Sequence, residues 1–162
     1  MSFSSRTKGE LSRLPIDNRC CPMAELAAIV RMNSTIQINK IDQVSLKFNT
    51  ENAAIARRIF ILIKTLYNSN VEVIVKKNRQ LKKNNKYMIV VKDRDVTKGI
   101  LKDVGFLIDD DSYCIIDHGL PEDLVDSRCC RRSYIRGAFL GGGSISNPEK
   151  SYHMEFVTSH EE

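Results

Sequence analysis

The chain has 162 residues, of which 42% are hydrophobic, so it is long enough to bury one domain-sized core. No apolar run is long enough to cross a bilayer and the first residues lack a secretory leader pattern, so we expect a cytoplasmic protein. Residues 57–102 hold thirteen Lys or Arg against three acidic residues, whereas residues 103–126 hold eight acidic residues and no Lys or Arg. This asymmetry is typical of proteins that bind a polyanion, although a solvated surface masked by its own linker would have the same composition.

Hydrophobic periodicity and capping signals predict one complete unit of secondary structure. In chain order, the predicted elements are helices at 8–14 and 23–32, strands at 35–38 and 44–48, a helix at 51–67, strands at 71–75 and 87–91, and a helix at 93–102. Thr50 is expected to cap the long helix, and Pro15 to end the first one. The order α-β-β-α-β-β-α from residue 23 onward predicts an α+β fold with helices on one face of antiparallel strands.

The beginning of this unit occurs twice. Arg19-Cys20-Cys21 and Arg128-Cys129-Cys130 lie 109 positions apart, and the same offset aligns Ala28 with Gly137 and Ile36 with Ile145. Such a repeat marks a duplicated structural unit. We therefore expect a lead-in at 1–22, a first repeat at 23–103, an acidic linker at 104–127 and an incomplete second repeat at 128–162.

The last residues contain a helix-start signal. Thr158-Ser159-His160-Glu161 is a capping box, in which a hydroxyl and a Glu three residues later satisfy free amides at the start of a helix. We therefore expect this chain to be a piece of a longer protein in which the second repeat continues.

The repeated helix and the element order resemble the LAGLIDADG homing endonucleases. The second copy carries the pattern best, as Arg136-Gly137-Ala138-Phe139-Leu140-Gly141-Gly142-Gly143-Ser144. With the opening Met1-Ser2-Phe3-Ser4-Ser5, the stretch Glu10-Leu11-Ser12-Arg13-Leu14 and the paired Arg-Cys-Cys motifs, the chain more closely resembles the WhiA family. These are bacterial regulators of sporulation and cell division with a degenerate LAGLIDADG domain.

The resemblance implies a pseudo-symmetric saddle, here with its second repeat incomplete. It also implies a nucleoid-associated, DNA-binding protein whose sequence-specific contacts come mainly from a C-terminal helix-turn-helix domain, which these 162 residues do not contain. Possible protein partners remain open. In the saddle the two motif helices lie side by side, and small residues let them approach closely. The residues that fit this demand are Ala27, Ala28, Gly137, Ala138 and Gly141.

The resemblance also locates the catalytic positions of active LAGLIDADG enzymes. There, one acidic residue from each motif helix holds divalent metal at the scissile phosphates. The matching positions here are Asn33 and Gly142, and the motif's other acidic position is Arg31 in one copy and Leu140 in the other. Asn is a weak ligand for a hard cation and Gly offers no side chain. We therefore predict no nuclease activity and no cofactor.

A basic segment between two predicted strands is the candidate DNA-binding site. Its cationic residues are Lys76, Lys77, Arg79, Lys82, Lys83 and Lys86. Phosphate contacts from these side chains would make binding strongly salt-dependent. Alternatively, the lysines only protect a strand edge from aggregation. The arginines at 128–136 are expected to pair with the acidic linker rather than with phosphate.

The adjacent cysteines lack the Cys-x-x-Cys spacing typical of structural zinc sites. We therefore predict no metal site and interpret these cysteines as small buried residues at helix starts.

Three functions fit the sequence. The favoured one is a noncatalytic DNA-associated transcriptional regulator of the WhiA type. The alternatives are a LAGLIDADG homing endonuclease with metal-dependent DNA cleavage, against which Asn33 and Gly142 argue, and a pure protein-interaction module.

Overall fold

The computed structural model describes residues 1–38, 43–80, 84–110, 113–117 and 119–158. Within these ranges, the first part of the chain forms α1 (Phe3–Leu11), α2 (Cys20–Asn33), β1 (Ser34–Ile38), β2 (Val44–Thr50), α3 (Ala53–Tyr67), β3 (Glu72–Lys76), β4 (Lys86–Val91) and α4 (Arg94–Asp103). The second part forms β5 (Leu107–Asp110), β6 (Tyr113–Ile116), a 3-10 helix (Glu122–Val125), α5 (Arg128–Gly142), β7 (Gly143–Ile145) and β8 (Met154–Phe156). From α2 to α4 the element order is the predicted one.

The first repeat is built on a four-stranded antiparallel sheet in the order β1-β2-β4-β3. Because side chains alternate across a strand, Leu46 and Phe48 of β2 share one face with Ile89 of β4, and all three are fully buried. They join α2 and α3 in one hydrophobic core, to which Ile59 and Leu62 of α3 contribute. The helices therefore cover one face of the sheet, as predicted for an α+β fold.

The long helix α3 starts later than predicted. Asn52 caps it, since its side-chain oxygen accepts hydrogen bonds from the amides of Ala54 and Ile55. Thr50 instead ends β2, where it pairs with Tyr87, and its hydroxyl accepts from the amide of Asn52. The prediction that Thr50 caps the helix was wrong because strand pairing extends through residue 50, and Asn is an equally good cap.

The first helix also lies elsewhere than predicted. α1 covers Phe3–Leu11 rather than residues 8–14, because Ser2 supplies its cap by accepting a hydrogen bond from the amide of Ser5. Its residues reach the second repeat: Ser4 Oγ accepts from the amide of Ile145 at 3.3 Å, and the Lys8 ammonium lies 5.5 Å from the centre of the Phe139 ring. The lead-in segment thus contacts the second repeat.

The acidic linker has regular structure that the sequence did not reveal. α4 ends at Asp103. Gly105 follows with a φ of +71°, the left-handed conformation favoured just after a helix C-terminus, and Phe106 donates its amide back to the carbonyl of Leu101. Phe106 is then buried in the first-repeat core, and β5 and β6 follow as an antiparallel hairpin. The linker is therefore anchored to the first repeat at its start.

The second repeat begins with the same order of elements as the first: α5, then the antiparallel pair β7–β8. The predicted capping box falls at its end, where residues 159–161 lie outside the described part of the chain. In the described ranges, no helix is both long enough and apolar enough to span a membrane.

Candidate nucleic-acid interface and the junction between the repeats

The sheet face turned away from the helices is polar and cationic. The strand register places the following side chains on it: Thr35, Gln37, Ser45, Lys47, Asn49, Glu72, Ile74, Lys76, Lys86, Met88 and Val90. We call these residues the outer sheet face. Glu72 is its one acidic residue, and Lys92 already pairs with it at 2.6 Å. The outer sheet face therefore carries three lysines, Lys47, Lys76 and Lys86, and its acidic residue Glu72 is already paired with Lys92.

The predicted basic segment adjoins this face. Lys76, Lys77, Arg79 and Lys86 are all exposed, whereas Lys82 and Lys83 lie outside the described residues. Lys76 and Lys86 are direct partners in the β3–β4 ladder. Like charges directly opposite each other destabilise a sheet. The pairing therefore costs stability and concentrates positive charge at one corner of the outer sheet face.

The two motif helices, α2 and α5, lie side by side and run in the same direction. A Cβ built at Gly137 would overlap the backbone carbonyl oxygen of Glu25 and lie 3.0 Å from the Cβ of Ala28. One built at Gly141 would lie 2.9 Å from the Cβ of Met32. Backbone and small side chains are therefore in direct contact along this junction.

The other predicted packing residues differ in position. Ala27 is fully buried and belongs to the first-repeat core cluster, while Ala138 is only half-buried. At the junction itself, the structure brings together Ala28, Gly137 and Gly141.

Asn33, at the C-terminal end of α2, uses both ends of its side-chain amide. Its Nδ2 donates to the carbonyl of Asn49 at 2.7 Å, and its Oδ1 accepts from the amide of Asn49 at 3.2 Å. The same Nδ2 also lies 3.4 Å from the carbonyl oxygen of Gly141 in α5. The side chain therefore ties β2 to both motif helices. A carboxylate at position 33 could accept but could not donate.

Gly142, the matching position of α5, has no room for a side chain. A Cβ there would overlap the carbonyl oxygen of Val157 and lie 2.8 Å from the Cε of Met32. The amide of Val157 donates to the carbonyl of Gly142 at 2.8 Å, so the strand segment after β8 is held against this residue. An acidic residue at position 142 would require this segment to move.

A buried carboxylate lies in the middle of the junction and bonds both repeats. Glu25 of α2 is fully buried and accepts from Arg58 of α3 through both oxygens, at 2.8 and 3.1 Å. Arg136 of α5 donates its Nε to the same carboxylate, and its Nη2 bonds Ser133 at 3.1 Å. Arg58 also donates to the carbonyl of Leu14, which follows α1. One carboxylate thus links both repeats, and through Arg58 the lead-in.

For Arg136, these contacts correct the predicted pairing of the second-repeat arginines with the acidic linker. Arg136 pairs with Glu25 rather than with a linker carboxylate. Arg131 does bond the end of the linker, but through the backbone carbonyl of Asp126 at 2.8 Å. No sequence pattern pointed to Glu25 or Arg58, since an isolated acid on one helix and an isolated base on another are usually surface residues.

Arg31, the other altered motif position, fastens the linker. Its Nη2 donates to the carbonyl of Gly119 at 2.7 Å, its Nη1 to that of Ala27 at 3.2 Å, and its guanidinium lies 5.7 Å from the centre of the Phe106 ring. Burial lowers the pKa of this guanidinium. The residue thus attaches the linker to the C-terminal half of α2.

Four cysteines meet at the opposite, N-terminal end of the junction. The sulfur atoms of Cys20, Cys21, Cys129 and Cys130 all lie within 4.8 Å of one another, and all four cysteines are free. A hydrogen bond with Ser127 is the main cause that lowers the pKa of the Cys129 thiol to about 7, whereas burial raises that of Cys21. The prediction of buried cysteines holds for Cys130 only, because Cys20 and Cys129 are exposed. Spacing within one segment could not reveal a cluster shared by two segments.

Comparison with known proteins agrees with this arrangement. A family model described as the WhiA N-terminal LAGLIDADG-like domain matches residues 19–107. The chain belongs to the WhiA family. A second model, described as the WhiA LAGLIDADG-like domain, matches residues 131–162.

Sequence relatives carry the same family name. The chain is 48% identical over 162 residues to a probable cell division protein WhiA of Alkaliphilus metalliredigens, covering all of this chain and 51% of that protein. It is 43% identical over 161 residues to the WhiA protein of Desulforamulus reducens, covering 99% of this chain and 49% of that one. The chain therefore spans about half the length of these relatives.

Solved WhiA structures have the same fold. The full-length WhiA protein of Thermotoga maritima aligns with a TM-score of 0.63 at 24% identity, over 99% of this chain and 46% of that one. A structure of the N-terminal LAGLIDADG domain of WhiA aligns with a TM-score of 0.67 at 24% identity, over 98% of this chain and 67% of that one. These likenesses establish a LAGLIDADG-like α+β fold.

Within the WhiA fold, neither former metal position carries a carboxylate. Asn33 is committed to β2, and Gly142 is in contact with the backbone after β8. The relatives, likewise, are named as cell division proteins and not as nucleases.

Proposed function

We propose that this chain is the noncatalytic LAGLIDADG-like part of a WhiA-type transcriptional regulator of cell division and sporulation, acting on DNA in the nucleoid. It holds DNA through phosphate contacts and does not cut it. The observation that carries the noncatalytic part is the state of the two motif ends. The side-chain amide of Asn33 is hydrogen-bonded to the backbone of Asn49, and Gly142 is in contact with the backbone of Val157. A metal-assisted hydrolysis needs carboxylates there to hold the ions and activate water.

The outer sheet face supports the DNA-binding part. It presents Lys47, Lys76 and Lys86 among hydroxyl and amide side chains, which are suited to phosphate oxygens. The opposed Lys76 and Lys86 cost stability when no ligand is present, and an anion between them would remove this cost. Such contacts fix a protein on the duplex without reading its sequence.

Binding of the 162-residue chain to a duplex of unrelated sequence, measured by fluorescence anisotropy over a range of salt concentrations, tests the proposal. The logarithm of the affinity should fall linearly with the logarithm of salt concentration, and replacing both Lys76 and Lys86 by Gln should make that slope shallower by about 2. Lys102→Gln, which removes an exposed lysine of α4, is the matched control and should leave the slope unchanged.

Other outcomes would favour the alternatives. Equal slopes for the double variant and the wild-type chain would reject the outer sheet face as a phosphate site. DNA binding that is absent, while a partner protein binds with little salt dependence, would favour a protein-interaction module.

A supercoiled plasmid incubated with the chain and Mg²⁺ or Mn²⁺ tests the absence of cleavage. We expect no nicking above the background of the buffer. Metal-dependent nicking that copurifies with the chain and disappears in Asn33→Ala would instead identify an active endonuclease.

A further inference from the structure

The four-cysteine cluster is built from the two ends of a duplicated motif. Asn18-Arg19-Cys20-Cys21 spans the start of α2 and Ser127-Arg128-Cys129-Cys130 spans the start of α5, with the same offset of 109 positions. Asn18 Oδ1 accepts from the amide of Cys21 at 2.9 Å, and Ser127 Oγ accepts from the amide of Cys130 at 3.1 Å. Each copy of the motif thus presents two sulfurs from a capped helix start. Because α2 and α5 run side by side, the two pairs converge.

The distances suit one tetrahedral ion. Four sulfurs at about 2.3 Å from a central zinc ion lie about 3.8 Å from one another. The four sulfur atoms here already lie within 4.8 Å of one another, so a contraction of about 1 Å suffices. An iron–sulfur cluster is larger than a single ion and would force the sulfurs further apart.

Hydrophobic packing does not account for the cluster. Cys20 and Cys129 are exposed and only Cys130 is buried, so little apolar area is gained by placing sulfur here. Exposed free thiols are also an oxidation hazard, which makes four of them together costly unless they have a ligand.

The surroundings favour bound thiolates. The free amides at the starts of two helices attract negative charge. Arg19 and Arg128 directly precede the two cysteine pairs, and four thiolates around a divalent ion would leave two negative charges to balance. Ser127 Oγ lies 3.1 Å from Cys129 Sγ, where the hydroxyl can donate to a metal-bound thiolate.

The site has an entry path. Cys21 and Cys129 line a cleft of ≈ 300 Å³, whose other walls include Asn18, Ser133 and Arg136. An ion could therefore reach the sulfurs without opening the junction between the repeats.

We propose that Cys20, Cys21, Cys129 and Cys130 bind one zinc ion in tetrahedral geometry. This ion joins the two repeats at the N-terminal ends of α2 and α5. This ion lies at the end of the motif helices opposite to the ancestral catalytic positions, about 20 Å away given the length of α2. The ion closes a loop of the chain, since the two cysteine pairs lie 109 positions apart in the sequence. Its role is structural, because four thiolate ligands leave no coordination position open for a substrate.

The test uses the 162-residue chain, purified under reducing, metal-free conditions and titrated with Co²⁺ and then Zn²⁺. We expect one Co²⁺ per chain, with the strong visible absorption of tetrahedral cobalt and a thiolate-to-metal charge-transfer band, both removed by one equivalent of Zn²⁺. Replacing Cys20 or Cys129 by Ser should weaken zinc binding more than about a hundredfold. Cys114→Ser, which changes the cysteine outside the proposed ligand set, should bind as the wild-type chain does.

Circular dichroism of each apo variant separates loss of a ligand from loss of the fold. Zinc should raise the melting temperature of the wild-type chain and of Cys114→Ser. It should leave the melting temperature of a folded Cys129→Ser variant unchanged. Three outcomes would overturn the proposal: octahedral cobalt spectra, binding that survives both Ser variants, or a disulfide among these four cysteines, seen as a mass lower by two hydrogens, in protein purified under reducing conditions.

Discussion

The carboxylate of Glu25 and the guanidinium of Arg136 form an ion pair across the junction between the repeats, although 111 positions separate them in the sequence. Glu25 is fully buried and also accepts two hydrogen bonds from Arg58, which is 3% exposed. A buried charge is tolerated only when it is paired and hydrogen-bonded. The network therefore links α2, α3 and α5 through one carboxylate, and removal of that carboxylate leaves both arginines unpaired.

Glu25→Gln should strongly destabilise the chain. The change leaves the buried guanidinium of Arg58 and the partly buried one of Arg136 without a negative partner, and breaking a buried pair costs about 3–5 kcal/mol. Urea unfolding followed by circular dichroism measures the effect. Glu72→Gln is the control, because its exposed pair with Lys92 is worth less than about 1 kcal/mol. A triple variant that combines Glu25→Leu, Arg58→Met and Arg136→Met should recover most of the loss, and failure to do so would contradict the charge argument.

Gly137→Ala should destabilise the chain even though Ala is a better helix former than Gly. Its methyl group would overlap the Glu25 backbone carbonyl, so the helices must separate, at a cost of about 1–3 kcal/mol. Gly9→Ala in α1 is the control, because a methyl group there meets nothing within 4 Å. That change should stabilise the chain by about 0.5–1 kcal/mol. Thermal unfolding of the two variants should shift in opposite directions.

Asn33→Asp should restore an ancestral carboxylate without restoring cleavage. The new oxygen would face the carbonyl of Asn49 and lose the bond that Nδ2 makes at 2.7 Å, which destabilises the chain by about 1–3 kcal/mol. Asn70→Asp is an exposed control and should change stability little. Plasmid nicking by Asn33→Asp in Mg²⁺, combined with unchanged stability, would contradict the structural role assigned to this amide.

Lys86→Thr should make the free protein more stable and the DNA complex weaker. Lys86 and Lys76 face each other across the β3–β4 ladder, and removing one of them relieves a repulsion of about 0.2–1 kcal/mol. The gain should shrink at high salt, where the repulsion is screened. Unfolding at low and high salt measures this change. A loss of stability at low salt would show that the two lysines do not repel each other in the folded chain.

Tyr67 should make stability fall at alkaline pH. Burial, followed by the hydrogen bond to Asp103 at 2.9 Å, raises the pKa of this phenol above its ordinary value of 10.0. A raised folded pKa means that the contribution is complete below about pH 10 and is lost as the pH rises further, because only the unfolded state releases the proton there. Tyr67→Phe should be less stable at neutral pH and should show a smaller loss between pH 9 and 11, measured by urea unfolding.

Patterns local to one segment predicted most of the fold. Apolar periodicity predicted α3 and the strands, and the repeated Arg-Cys-Cys motif predicted that α2 and α5 are equivalent. The errors concerned single segments. Asn52 rather than Thr50 caps α3, and β5–β6 forms a hairpin in a segment that was interpreted from its acidic charge alone.

The junction could not be read in this way. Glu25, Arg58 and Arg136 look like surface charges in the sequence, since only packing removes their water. The cysteine cluster was predictable in part, because two equivalent helices that run in the same direction bring their first residues together. What was missing was the distance between the two helix starts.

The amino-acid order alone was enough to predict the duplication, the α+β architecture and the absence of carboxylates at residues 33 and 142, because each depends on which residue occupies a position. Three features became visible only in the folded chain: Asn33 bonds β2, one buried acid links three helices, and four sulfur atoms lie within 4.8 Å of one another. Those features depend on distances between segments far apart in the chain, and close packing of α2 against α5 sets such distances.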